Sequence, residues 1–145
     1  MAIVVKPEDQ SAPLSVIGTR ITVLAEQEEA GGREITLQSG DEGMGPPPHS
    51  HDWDESFYVL SGEVIFSCDG ETTLCPPGTL VHVPGGTVHA FAYGEGGGQM
   101  LEITQSGQAA ELFRKLDEEV PPGPPDLEKA VGVMMANGVR VELLS

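Results

Sequence analysis

Positive charge is scarce in this chain. Seven Lys and Arg stand against 23 Asp and Glu in 145 residues, a formal charge of −16. Such a surface repels phosphate backbones and anionic membranes, so neither nucleic acid nor membrane is expected as a partner. It also disfavours long-range capture of strongly anionic substrates. No apolar run approaches the roughly 20 residues that span a bilayer. The start, Met1-Ala-Ile-Val-Val-Lys-Pro7, lacks the basic region and long apolar stretch of a secretory signal, so a cytoplasmic location is expected. Cysteine is limited to Cys68 and Cys75. A two-residue turn at Asp69-Gly70 would set Cys68 opposite Glu71 and Cys75 opposite Val64. That register keeps the thiols too far apart to bridge, and free thiols fit a reducing compartment.

Glycine and proline are plentiful, at 19 and 12 residues, and they cut the chain into short segments. Residues 1–14 carry little periodicity and read as an extended arm. Val16, Ile17, Ile21, Val23 and Ala25 suggest strands. Ile35 and Leu37 alternate with polar neighbours after the Ala30-Gly31-Gly32 turn. Pro46-Pro47-Pro48 forces a rigid, extended approach to His49. Phe57-Tyr58-Val59-Leu60 is a short strand closed by Ser61-Gly62, and a hairpin follows around Asp69-Gly70. Leu80–Val83 and His89–Tyr93 are further strands, and Gly94-Glu-Gly-Gly-Gly98 reads as a flexible tip before Met100–Thr104. Short strands with frequent turn signals indicate an antiparallel sandwich or barrel over residues 15–106.

The tail, 107–145, changes period. Leu112, Phe113, Leu116 and Val120 share one helical face. Pro121-Pro-Gly-Pro-Pro125 ends that helix, Asp126 caps a second, and Leu127, Ala130, Val131, Met134 and Met135 form its apolar stripe. Asn137-Gly138 is a stop signal, and Val139-Arg-Val141 could form a last short strand. The helices are expected to pack outside the barrel.

Chemistry concentrates in His49, His51, Glu55 and His89. Residues two apart on a strand face one side, so His49 and His51 can aim at one point. Three neutral imidazoles and a carboxylate suit a divalent transition metal, with one or two positions left open for water or substrate. The alternative is a metal-free set of hydrogen-bonded polar groups, which would need many compensating partners. For Glu55, permanent ligand and general base both stand as readings. His82, within a Val and Leu strand, reads as a structural or rim residue. Asp52 and Asp54 read as solvated charges. Trp53, Phe57, Phe91 and Tyr93 are possible pocket residues, with core packing as the competing role.

These positions resemble the paired motifs of the cupin superfamily, small jelly-roll β-barrels. Gly43, His49, His51, Glu55 and Gly62 fill the fixed places of the first motif, Gly-x5-His-x-His-x3–4-Glu-x6-Gly. Gly78, Pro84, Gly86 and His89 match the second, Gly-x5-Pro-x-Gly-x2-His-x3-Asn, whereas Tyr93 stands where the pattern has Asn. The tail is similar to single-domain cupins of the quercetin-dioxygenase-like group. The resemblance implies an all-β cupin jelly-roll with C-terminal α-helices. It also implies one divalent transition metal per chain (Fe, Mn, Ni, Co, Cu or Zn) at His49, His51, Glu55 and His89. A homodimer is expected from the exposed strands, the apolar tail and the resemblance together.

A shared fold does not fix a reaction. The favoured reading is a metal-dependent dioxygenase-type oxidoreductase acting on a small enol, diketone or flavonoid-like substrate. Its oxygen would take the open metal position, Glu55 its proton, and O2 would react at the activated carbon. The alternatives are a non-oxidative metal-dependent isomerase, lyase or polyketide cyclase, and a non-catalytic small-molecule-binding cupin.

Overall fold

The computed structural model describes residues 1–105, 108–122 and 126–142. The expected boundary at 106/107 and the centre of the proline break, residues 123–125, lie outside them. Residues 1–13 are exposed, with one 3-10 turn at Pro7–Asp9. The elements that follow are β1 (Leu14–Val16), β2 (Thr19–Ala25), β3 (Arg33–Gly40), β4 (His49–Ser50), β5 (Glu55–Cys68) and β6 (Glu71–Cys75). Then come β7 (Leu80–Val83), β8 (His89–Gln105), α1 (Ala109–Glu119), α2 (Leu127–Ala136) and β9 (Arg140–Val141). Every strand pairing is antiparallel, and together the strands form a curled sheet. This is an all-β jelly-roll with two C-terminal helices, as the motifs implied. No helix among the described residues is long and apolar enough to cross a membrane.

Two expectations about strands need correction. Phe57–Leu60 is not a short strand but part of the 14-residue β5, and the glycine-rich stretch 94–98 is not a loose tip but part of the 17-residue β8. The two long strands pair along their lengths, from Glu55↔Thr104 to Cys68↔His89, with register shifts at Val59/Ser61 and Gly62/Val64. Glycines make this crossing possible. A Cβ on Gly62 would sit 2.2 Å from the Gly97 carbonyl oxygen, and one on Gly98 would sit 2.8 Å from that of Glu63. Turn chemistry was the obvious reading of glycine here, and close backbone approach is the physical one.

The irregularity also switches which residues face inward. On β5 the buried positions are Glu55, Phe57 and Val59, then Val64 and Phe66. On β8 they are His89, Phe91 and Tyr93, then Met100, Glu102 and Thr104. A change of parity within one strand is what a bulge produces.

The hairpin register Val64↔Cys75 and Cys68↔Glu71 is as expected, and both thiols are free. Asp126 caps α2 by accepting from the Lys129 backbone N–H at 3.1 Å. Asn137 ends that helix, with Gly138 at φ +85°. Leu112, Leu116, Val120, Ala130 and Met134 bury against Val16, Ile17 and Ile21, forming a second apolar cluster between the helices and the β1–β2 hairpin. Of the Met pair, Met134 is buried and Met135 exposed.

Candidate metal centre

Backbone carbonyls set the orientation of all three histidines. His49 Nδ1 donates to Pro47 O at 2.9 Å, His51 Nδ1 to Trp53 O at 3.0 Å, and His89 Nδ1 to Thr87 O at 2.9 Å. A carbonyl can only accept, so each Nδ1 carries the proton and each neutral ring has its lone pair on Nε2. The strands bring these rings together: His49 on β4 is the register partner of His89 on β8. The three residues are buried, and their ligand atoms lie within 4.8 Å of one another.

Glu55 closes the cluster. Its Oε1 lies 3.0 Å from His51 Nε2 and its Oε2 3.1 Å from His89 Nε2. In the neutral tautomer these contacts set lone pair against lone pair, so they call for a cation between or beside them, either a proton or a metal. His51 Nε2 makes no hydrogen bond despite its proximity to Glu55, and is a buried orphan. Two donors each about 2.1 Å from one ion, at right angles, stand about 3.0 Å apart. The observed spacing therefore fits a shared divalent ion, and the N/O donor set suits the first-row transition metals.

The electrostatics agree with burial around a charge. Burial, reinforced by the nearby His89, lowers the His49 pKa to about 4. For His89 burial acts downward, but the Glu55 contact prevails and raises it. Burial pushes Glu55 upward, and the adjoining His51 and His89 rings overcome it, holding the carboxyl below its ordinary range.

Surrounding contacts lock the loops that carry the ligands. Asp54 Oδ1 accepts from Gly85 N at 2.7 Å, and His51 O accepts from Gly86 N at 2.8 Å, which ties the first motif to the second. Asp54 is thus a loop brace, a role its solvated reading missed. Asp52 pairs with Arg140 at 3.0 Å, and Arg140 also reaches Ser50 Oγ at 3.3 Å. The tail strand β9 pairs with β4, so the helical extension fastens the strand that holds His49.

Trp53 stacks on His51, with ring centroids 4.1 Å apart and planes 5° apart. Phe57 and Phe91 line the adjoining cavity with Trp53, His49, His51 and Glu55. Tyr93 is placed elsewhere, in the packed cluster against Gly40. His82 lies at the exposed edge, 2.8 Å from Ser56 Oγ. The cavity is narrow, with about 60 Å3 available to the centres of water-sized spheres. Leu112, Leu116 and Met134 of the helices form much of its apolar side. Sequence reasoning did not find Glu102 and Gln38, two buried polar residues that also line it.

Residues 33–104 match the family model described as "Cupin domain". The chain belongs to the cupin superfamily. It is 30% identical over 98 residues to the quercetin 2,3-dioxygenase of Bacillus subtilis (strain 168), a match covering 66% of this chain and 29% of that protein. The cupin chain thus spans under a third of that relative's length. Its fold is shared with KdgF from a Halomonas species at 17% identity, covering 77% of this chain and 99% of that one, TM-score 0.68. It is shared also with the polyketide cyclase RemF from Streptomyces resistomycificus at 22% identity, covering 100% and 88%, TM-score 0.66.

Proposed function

We propose that this cupin is a metal-dependent dioxygenase-type enzyme whose substrate is a small enol, diketone or flavonoid-like molecule. The observation that carries the reading is the buried set of inward Nε2 atoms around Glu55, opening on an apolar-sided cavity. His49, His51, Glu55 and His89 would hold one divalent ion. When bound, it would supply Lewis acidity toward a substrate oxygen. Glu55, contacting two of the histidines, is the group placed to accept the enol proton. Phe57, Phe91 and the helices exclude water from the substrate's apolar body. The likeness to quercetin 2,3-dioxygenase supports the oxygenase chemistry.

A second reading, non-oxidative isomerisation, lyase or cyclase chemistry on the same site, is favoured by the polyketide cyclase RemF, whose fold matches the full chain. Elemental analysis of protein purified without added metal, followed by O2 uptake with a flavonol and a β-diketone, separates the two. Uptake stoichiometric with substrate loss supports the oxygenase. Substrate loss without O2 uptake supports the second reading, and saturable binding without turnover would leave a binding module. Within the oxygenase reading, Glu55→Gln is expected to lower turnover by about 10²–10⁴-fold. Undiminished turnover would remove Glu55 as the base.

The reading extends to a homodimer. Leu37, Leu101, Tyr58 and Leu80 adjoin across four strands on the outward face, with Tyr58 and Leu80 exposed. Contiguous apolar surface of this kind favours association. Light scattering at micromolar concentration tests it, and the mass of a single chain would overturn it.

A further inference from the structure

The cavity contains a second carboxyl that the reaction above does not use. Glu102 faces inward from β8 and is buried. Its register partner is Phe57, while that of Glu55 is Thr104, so the two acids are diagonal neighbours on adjoining strands. Such neighbours stand roughly 7–8 Å apart. Thr36 Oγ1 donates to Glu102 Oε1 at 3.3 Å, and the same Thr36 oxygen accepts from Gln38 Nε2 at 3.3 Å. The chain of hydrogen bonds runs one way, from amide to hydroxyl to carboxyl. Among the described residues no Lys or Arg pairs with Glu102.

An unpaired carboxylate buried beside another is costly, and such a group takes up a proton instead. Burial first, and the Glu55 charge second, raise Glu102 well above the ordinary carboxyl range. With Thr36 donating to Oε1, a proton on Oε2 leaves the acid's O–H free to donate into the cavity. Glu102 lines the same cavity as Glu55 and the His49 and His51 rings, where a ligand oxygen could serve.

We infer that Glu102 is a ligand-orienting residue, donating a hydrogen bond to a carbonyl or other acceptor oxygen of the molecule that fills the cavity. The inference rests on the metal-and-enol reading above and sharpens its substrate class. The ligand carries two oxygen functions, one directed to the histidine cluster and one to Glu102. Between them an apolar body lies against Leu112, Leu116 and Met134. A ligand with a single oxygen function leaves the Glu102 proton unpaired, and the site discriminates against it.

The experiment uses the full chain loaded with zinc and titrated with quercetin, followed by flavonol absorbance and Trp53 fluorescence. Glu102→Leu and Glu102→Gln are compared with the parent. Zinc stoichiometry and melting temperature of each variant are measured in parallel, as a purely structural role would move these and a ligand contact would not. Glu102→Leu is expected to weaken quercetin binding about tenfold or more at unchanged zinc content. Glu102→Gln, whose amide still donates, is expected to stay within about threefold of the parent. Parent-like affinity in Glu102→Leu, or equal loss in both variants, overturns the inference while leaving the metal-and-enol reading intact. A zinc-loaded parent that does not bind quercetin overturns both.

Discussion

The same two strands, β5 and β8, build both a packed region and a polar one. Towards one end Val64 and Phe66 face Phe91 and Tyr93, and Phe57, Val59 and Met100 join them from across the glycine crossing in a dry cluster. The three phenylalanines lie within 5.1–5.9 Å of one another, ring centre to ring centre. At the other end Glu55, Phe57, Glu102 and Thr104 point inward, joined from β3 by Glu34, Thr36 and Gln38, all buried, and His89 reaches Glu55 from the opposite end of β8. The glycine crossing and its register shifts run through the packed cluster, with Phe57, Val59 and Met100 on the Glu55 side of it. Stability is concentrated where the rings interlock, and chemistry where polar groups are held at the cost of burial. A local change should therefore damage one end and spare the other.

The largest effect belongs to the polar end. Replacing both His49 and His51 by Ala is expected to abolish stoichiometric metal, because two of four donors disappear. Far-ultraviolet circular dichroism should stay parent-like, since the aromatic cluster is untouched. Elemental analysis after exhaustive dialysis checks this, and full occupancy in the double variant would show that the ion is held elsewhere.

The converse substitution belongs to the packed end. Phe66→Ala should cost about 3–5 kcal/mol in unfolding free energy. Below the unfolding transition the folded fraction should still bind one metal per chain. Urea melts with and without added zinc measure both. Loss of metal at full folding would mean that the two ends are mechanically coupled, against the division drawn above.

Much of the site was legible because its spacing is local. His49, His51 and Glu55 sit within one short stretch, and Pro84, Gly86 and His89 within another, so period-two reasoning and motif spacing reach them. The capping of α2 by Asp126, its stop at Asn137-Gly138 and the Cys68–Cys75 hairpin register were local in the same way. What stayed hidden depends on strand parity. Ile35 and Leu37 look like the core side of β3, yet the fully buried side is Glu34, Thr36 and Gln38, while Ile35 and Leu37 are only half-buried. On β8, Ile103 is exposed while Glu102 and Thr104 are buried. Hydrophobic alternation assumes an apolar interior, and a barrel that lines a polar cavity inverts it. The strand pairing that joins Glu102 to Thr36 spans 66 residues, beyond any local pattern. A lone signal was available in Met100-Leu-Glu102-Ile-Thr104, whose polar residues share one parity.

The smallest effect separates a neutral Glu102 from an ordinary surface acid by pH alone. A carboxyl whose folded pKa is raised keeps its proton in the native state and loses it on unfolding. Its stabilisation is complete below the unfolded value near 4.3 and declines as pH rises toward the folded value. Glu55 faces Glu102 with a negative charge, while Glu34 and the Tyr93 ring adjoin it without supplying a cation, so nothing in the packing reverses that sign. Glu102→Gln cannot titrate, and the other groups largely cancel between parent and variant. The variant should gain on the parent between pH 5 and pH 7.5, by up to about 1.4 kcal/mol per pH unit while one proton is released. Denaturant melts of metal-free protein at both pH values measure the gap. A gap that stays constant would mean that Glu102 ionises like a free carboxyl, and the polar end would then be a charged wall rather than a hydrogen-bonding one.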